Sequence, residues 1–356
     1  MKVCIIGDGL ASLTLASVLI KKDISVDIFS KKKIILYDQS RTLGISKSNI
    51  DYFNTEITNI NKISWEIKKI KIFTEKNNDE ELLKFDNKDN QIFSIIRNYK
   101  LQKILFENLK KSKFIKFKNN LDINSSQYKL VINCDPTHPY IKKYFSKKFE
   151  KNYKSFAYTT IIFHKRIKNN TAFQNFTKNG PIAFLPLSGT ETSIVYSLKS
   201  DKKKSILEIN DLVKKYNPIY SIKTFNDWNY FNLRSSSLRN YYKDNILAFG
   251  DLLHKLHPLA GQGFNMSLRD IKLLSDLIDE KINLGLDLDT SICEEFQKKS
   301  RSKNFIFLSG IDWIYELFNL EGKINFNLLN DSINLVGNNK IVNKFLKSFA
   351  DSGIRY

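Results

Sequence analysis

Apolar and polar positions alternate along the chain in blocks that predict a strand, a helix and a second strand at its start. Lys2-Val-Cys-Ile-Ile-Gly7 is a short, β-rich apolar run, the pattern of a strand buried on both faces. Leu13, Leu15, Ala16 and Val18 to Ile20 then recur at helical spacing as far as Lys22, and Ile24 to Phe29 reads as another strand. A third buried strand is predicted at Leu130 to Ile132 and a fourth at Ile246 to Phe249. Helical stripes follow Arg97, through Leu101, Ile104, Leu105 and Leu109, and follow Gly263, through Met266, Ile271, Leu274 and Ile278. Between these blocks, period-two alternation around Ala157 to Phe163, Ile182 to Leu187 and Ile194 to Leu198 predicts an antiparallel sheet. Polar segments at Asn77 to Glu81 and Asn87 to Asn90 read as hairpin turns.

The first strand-to-helix turn carries Gly7-Asp-Gly9-Leu-Ala-Ser12. One glycine makes the tight turn and the next lets the backbone approach a pyrophosphate held by the helix N-terminus. The third glycine of that pattern is here Ser12, small enough for helix and strand to pack. The acidic residue expected at the end of the second strand, where it would bind a ribose, is Ser30, followed by Lys31, Lys32 and Lys33. Asp27 lies inside the strand and does not replace it. The lysines leave open a rival reading in which a 2′-phosphate is accepted instead.

The chain has 356 residues, 42% of them hydrophobic, enough for about two domains with sizeable cores. Cys4, Cys134 and Cys293 lie far apart with no CxxC pair, which argues against a structural zinc site and for a reducing compartment. No metal site is expected. A net charge of +20 comes from 49 lysines and only eight arginines. Without Arg-rich stripes or an RNA-binding aromatic pattern, no nucleic-acid partner is expected, and a weak attraction to an anionic bilayer stays open. Met1 to Ile20 has Asp8 flanked by glycines in its middle, unlike a signal peptide, and no window reaches the length of a membrane span.

The second glycine cluster reads Gly250-Asp251, then His257-Pro258-Leu-Ala-Gly261-Gln262-Gly263-Phe-Asn265, then Arg269-Asp270. This long motif closely resembles the second FAD motif of the class A flavin monooxygenases, in particular the branch that hydroxylates polyprenyl phenols in ubiquinone biosynthesis. Asp38 to Ser48 resembles the family segment whose arginine, here Arg41, contacts the FAD phosphates. Arg97-Asn98 to Gln102 resembles the helix that begins beside the flavin, with Asn98 at the contact position; Arg97 and Gln102 read equally well as solvent-facing. The run from Ala172 to Ser197 resembles the sheet that roofs the substrate, and Asp312 to Phe318, Leu328 to Asn334 and Phe345 to Ser352 resemble the terminal helices. One element departs: where the family carries Asp-Gly ending in Ser-x-x-Arg, this chain has Asn133-Cys-Asp135-Pro136-Thr-His138-Pro139, and proline removes both a donor and glycine's freedom.

The resemblance implies an α/β fold: a Rossmann-like FAD-binding domain with an inserted antiparallel β-sheet substrate domain and a C-terminal helical tail. The expected division is 1–50, 90–145 and 240–300 for FAD, 51–89 and 146–239 for the substrate sheet, and 301–356 for the tail. It implies FAD as cofactor, NAD(P)H as electron donor, and hydroxylation of a prenylated phenol through a flavin C4a-hydroperoxide. The expected cofactor-binding set is Gly7, Gly9, Ser12, Arg41, Asn98, Asp251, Gly261, Gln262, Gly263 and Asn265. His257 and Pro258 lie beside the ring in a structural or electrostatic role, and no general base is assigned. His254 reads as structural or exposed. The partner is a lipophilic small molecule, and the setting cytoplasmic, with peripheral attachment to the inner face of the membrane or to a biosynthetic complex left open. Two alternatives remain: a degenerate flavin-fold subunit that holds lipid intermediates, and an FAD-dependent reductase of prenyl chains.

Overall fold

The computed structural model describes residues 1–30, 39–75, 83–86, 91–119, 127–200, 202–256 and 261–321. Lys31 to Lys33, His257, Pro258 and the two terminal segments Leu328 to Asn334 and Phe345 to Ser352 lie outside the described residues.

The apolar runs assemble into a six-stranded sheet. Its order is β16 (Tyr242–Lys243), β17 (Ile246–Ala248), β9 (Leu130–Asn133), β1 (Lys2–Ile6), β2 (Ser25–Phe29), β8 (Ile115–Lys118). All neighbours are parallel except β16 with β17. Helix α1 (Leu10–Ile20) is apolar all round and buries every residue from Ser12 to Leu19, because it lies between the sheet and two further helices, α3 (Asn98–Lys110) and α6 (Gln262–Asn283). Leu101, Leu105 and Leu109 of α3 are the buried stripe read from the sequence, spaced one turn apart.

A nine-stranded sheet stands beside it. The path runs β18 (His254–Lys255), β15 (Asn229–Leu238), β10 (Lys148–His164), β13 (Glu191–Lys199), β12 (Gly180–Pro186), β11 (Thr171–Thr177), β5 (Lys69–Thr74), β6 (Leu83–Asp86), with β14 (Ile222–Phe225) on β10. It is antiparallel apart from the β11–β5 pair. Helix α5 (Ile206–Lys215), opened by a Ser205–Glu208 capping box, lays Ile209 and Val213 under Tyr158, Ile162, Ile182, Phe184, Ile194 and Tyr196. A three-stranded sheet, β3 (Thr42–Ser46), β7 (Phe93–Arg97) and β4 (Ser64–Ile67), joins the two. Ser40 Oγ accepts from Asn229 Nδ2 at 2.8 Å, and Thr42 and Ser193 share a 2.9 Å hydroxyl contact.

Residues 51–89 therefore divide between two sheets: β4 belongs to the small one, and β5 and β6 extend the large one. Helix α2 (Lys47–Glu56) follows β3, and α4 (Tyr140–Tyr144) follows β9. Helix α7 (Thr290–Glu321) crosses position 300 without a break. Among the described residues, no helix is long and apolar enough to cross a membrane.

Asp27 is buried within β2 and belongs to the sheet core. Its Oδ2 accepts from Tyr128 Oη at 2.6 Å and pairs with Lys118 Nζ at 2.7 Å and Lys2 Nζ at 2.9 Å. Burial alone would raise this carboxyl, but the hydrogen bonds from Lys118, Tyr128 and Lys2 outweigh it and hold the group below the usual carboxylate range. A depressed folded value contributes stability that is complete above the unfolded value of about 4 and is lost as pH falls through the folded one. Asp27→Asn is therefore expected to lower stability to urea at pH 7, with the gap to wild type narrowing as the measurement moves below about pH 4. A gap independent of pH contradicts this account.

Candidate functional site

Four parallel strands, β2, β1, β9 and β17, end side by side at the carboxyl edge of the six-stranded sheet, where open α/β sheets bind their ligands. Gly7 N–H donates to Phe29 O at 2.7 Å, Cys134 N–H to Ile6 O at 2.9 Å, and Phe249 N–H to Asn133 O at 2.9 Å. The two glycine clusters, far apart in sequence, thus meet. Gly7 has φ +106°, and a Cβ there would lie 3.3 Å from Asp135 N and 3.4 Å from Ser12 Oγ. Gly250 has φ +62°, and a Cβ there would approach Ala11 Cβ to 2.8 Å. Only glycine lets the turn after β17 press on the first turn of α1, and this brings exposed Asp251 to the Gly7–Gly9 loop.

Gly9 is the N-cap of α1, with no side-chain cap and nothing within 4 Å of where its Cβ would be. An uncapped helix N-terminus beside open space presents N–H groups and positive potential to an anion. The loop is fastened from behind, since Gln102 Nε2 donates to Asp8 O at 3.1 Å. Burial pushes the Cys134 thiol up to about 12, and the nearby Asp251 and Asp135 carboxylates add to the shift, so this sulfur stays protonated.

The second half of the site forms where α6 meets β3. Gly261 caps α6 in the left-handed region at φ +63°, and a Cβ there would lie 3.2 Å from Gly44 N. Gly263 again faces open space, and Gln262 Oε1 accepts from Arg269 Nη2 at 3.3 Å. Asn265, expected to touch the cofactor, is 1% exposed, and both ends of its amide are engaged by protein. Its Nδ2 donates to Gly44 O at 2.8 Å, and its Oδ1 accepts from Ser46 N and Asn49 Nδ2, each at 3.0 Å. It acts as the tie that holds β3 on α6.

Arg41 is exposed at the start of β3, with its guanidinium 5.8 Å from the Phe231 ring centroid. Its carbonyl accepts from Asn98 N–H at 3.0 Å, which sets the start of α3 beside it. Arg97 is not solvent-facing, since its Nη2 pairs with Glu191 Oε1 at 3.0 Å. Gln102 likewise serves the glycine loop. His254 is buried rather than exposed: its Nε2 lies 2.5 Å from Asp270 Oδ2, whose other oxygen accepts from Asn304 Nδ2 at 3.2 Å, joining β18, α6 and α7. After β9, Asp135 N–H donates to Asn133 Oδ1 at 3.0 Å, and Asp135 Oδ1 accepts from Thr137 N at 2.8 Å and Oγ1 at 2.7 Å. Side-chain bonds close the turn that glycine makes in the family pattern. Two uncapped helix starts, open glycines, an exposed carboxylate and an exposed arginine fit a long ligand with an anionic middle and hydroxyls at its flank.

Residues 123–283 match the family model of the FAD binding domain. The chain is similar to the mitochondrial ubiquinone biosynthesis monooxygenase COQ6 of Dictyostelium discoideum, with 27% identity over 207 residues, 47% of this chain and 42% of that protein. It is 28% identical over 156 residues to the 3-demethoxyubiquinol 3-hydroxylase of Escherichia coli K12, covering 42% of this chain and 40% of the relative. The match thus spans less than half the length of these curated relatives. Among solved structures, p-nitrophenol 4-monooxygenase PnpA from Pseudomonas putida DLL-E4 superposes with a TM-score of 0.79 at 14% identity, over 99% of this chain and 98% of that one. HpxO of Klebsiella pneumoniae, complexed with FAD and uric acid, gives 0.75 at 10% identity, over 99% and 97%. The protein has the fold of the FAD-dependent monooxygenases. Residues 123–283 are similar to an FAD binding domain, and the chain is similar in sequence to ubiquinone-biosynthesis hydroxylases.

Gln102 and Asn265 hold the loops on which the exposed residues of this site stand. Periodicity alone could not find them, because each acts across more than 90 residues of sequence. Gly250→Ala is expected to destabilise the fold by about 2 to 4 kcal/mol, from left-handed strain and the forced contact with Ala11. It should lower the melting temperature by several degrees. Asn265→Ala removes partners from Gly44 O and Ser46 N–H, and should cost about 1 to 3 kcal/mol per buried group left unpaired, read from the same denaturation curves.

Proposed function

We propose that the protein is an FAD-dependent monooxygenase that uses NAD(P)H and O₂ to hydroxylate the ring of a prenylated phenol in ubiquinone biosynthesis. The observation that carries this reading is the meeting of Gly7–Gly9 with Gly250–Asp251 at one sheet edge, with the Gly261–Gly263 turn alongside. The N-terminus of α1 holds the pyrophosphate, and Arg41 adds a bidentate partner. Asp251 accepts hydroxyls of the ribityl chain, and Gly261 and Gly263 bring backbone close to the ring. The N-terminal end of α6 would place positive potential beside the bound ring. When bound, the flavin supplies the electron transfer and oxygen activation.

The protein's share of the work is positioning and exclusion of water. Residues 1–50, 90–145 and 240–300 would serve the cofactor, and the strands of the large sheet within 51–89 and 146–239 the substrate. One face of the large sheet is committed to α5, which leaves the other, with Thr159, Ser193 and Phe231, turned toward β3 and Arg41. That face suits the roof of a slot for a lipophilic ring. Peripheral attachment to an anionic membrane surface accords with the net charge of +20 and a prenylated substrate.

The purified protein is expected to show oxidised-flavin absorption with FAD bound, and O₂ uptake with NAD(P)H that rises on adding a prenylated phenol. Asp251→Ala is expected to weaken FAD binding at least tenfold, in line with the loss of a charged hydrogen-bond acceptor worth about 1.5 to 3 kcal/mol. A colourless protein that takes up no FAD overturns the proposal. NAD(P)H oxidation without O₂ consumption would replace oxygenation with reduction.

A further inference from the structure

The end of β2 lacks the carboxylate that dinucleotide-binding folds place there for the adenosine ribose, because the position is Ser30. The structure supplies one from another strand-end. Ser30 Oγ donates to Asp8 Oδ2 at 2.6 Å. Asp8 sits between the two glycines of the first loop, and its carboxylate reaches sideways across the end of β1 to the end of β2. Three bonds hold that placement: Gly7 N–H to Phe29 O at 2.7 Å, Gln102 Nε2 to Asp8 O at 3.1 Å, and Ser30 N–H to Lys118 O at 3.0 Å. Asp8 is half-buried and remains accessible to solvent.

We propose that Asp8, oriented by Ser30, is the acceptor for the adenosine ribose hydroxyls of FAD, taking over the role of the absent acidic residue. This rests on the flavin reading of the site. A carboxylate has about four lone-pair positions, so Oδ2 can keep the Ser30 bond while Oδ1 accepts from a hydroxyl. The bond to Ser30 sets this carboxylate at the end of β2, where the adenosine ribose would lie. A carboxylate there selects a ribose with a free 2′-hydroxyl and disfavours a 2′-phosphate by charge repulsion, so the adenosine pocket takes FAD or a non-phosphorylated dinucleotide.

The test titrates the apo-protein with FAD and with an FAD analogue carrying 2′-deoxyadenosine, followed by flavin fluorescence. Wild type should bind FAD about tenfold more tightly than the analogue, the scale of one charged hydrogen bond. Asp8→Asn should lose about that factor for FAD and treat both ligands alike, while Ser30→Ala should lose less. The double variant Asp8→Ala with Ser30→Asp, which returns a carboxylate to the end of β2, should recover discrimination. Melting of the apo-proteins separates loop damage from ligand recognition. FAD binding indifferent to Asp8→Asn, or wild type that does not distinguish the analogue, overturns this assignment while leaving the flavin reading in place. Wild type that takes up no FAD overturns both. If Asp8→Asn fails to fold, the wild-type comparison and Ser30→Ala still decide.

Discussion

The site depends on one close approach of backbones. Gly250 presses against Ala11 with no room for a Cβ, in a left-handed conformation that side chains rarely adopt. That contact carries the exposed carboxylate of Asp251 to the uncapped start of α1. Gly261 repeats the device against Gly44 on the other side. Each glycine is required both by its left-handed backbone and by the tertiary neighbour it meets.

Close approaches of this kind persist only when the elements behind them are fixed. Polar ties of long sequence separation do that here. Asn265 joins α6 to β3, Gln102 joins α3 to the first glycine loop, and Arg97 joins β7 to β13 through Glu191. Asp270 gathers His254 and Asn304 into one buried cluster. Buried polar groups of this type are costly when left unpaired, so each tie also specifies which surfaces meet. The three sheets are held in one arrangement by directional bonds as well as by apolar packing.

The departures from the family pattern are absorbed locally. The segment after β9 replaces a glycine turn with Asp135 and Asn133 side-chain bonds, and leaves Pro136 exposed, where its missing N–H is not needed. Asp27 is neutralised within the sheet by Lys2, Lys118 and Tyr128. The acidic position missing from the end of β2 has Asp8 beside it.

The sequence alone determined the βαβ start, the buried strands at Leu130 and Ile246, the α3 and α6 stripes and three strands of the large sheet, because burial on one or two faces writes its period directly into the chain. It also determined the glycine motifs, since backbone freedom can be read from residue type. The division of residues 51–89 between two sheets was not legible, because strands of either sheet carry the same alternation and only pairing partners decide. The same limit hid Gln102 as a loop anchor and Asn265 as a tie. Whether an amide faces a ligand, solvent or a distant carbonyl depends on which backbone arrives opposite it. That is decided by tertiary packing, through contacts that no local pattern encodes.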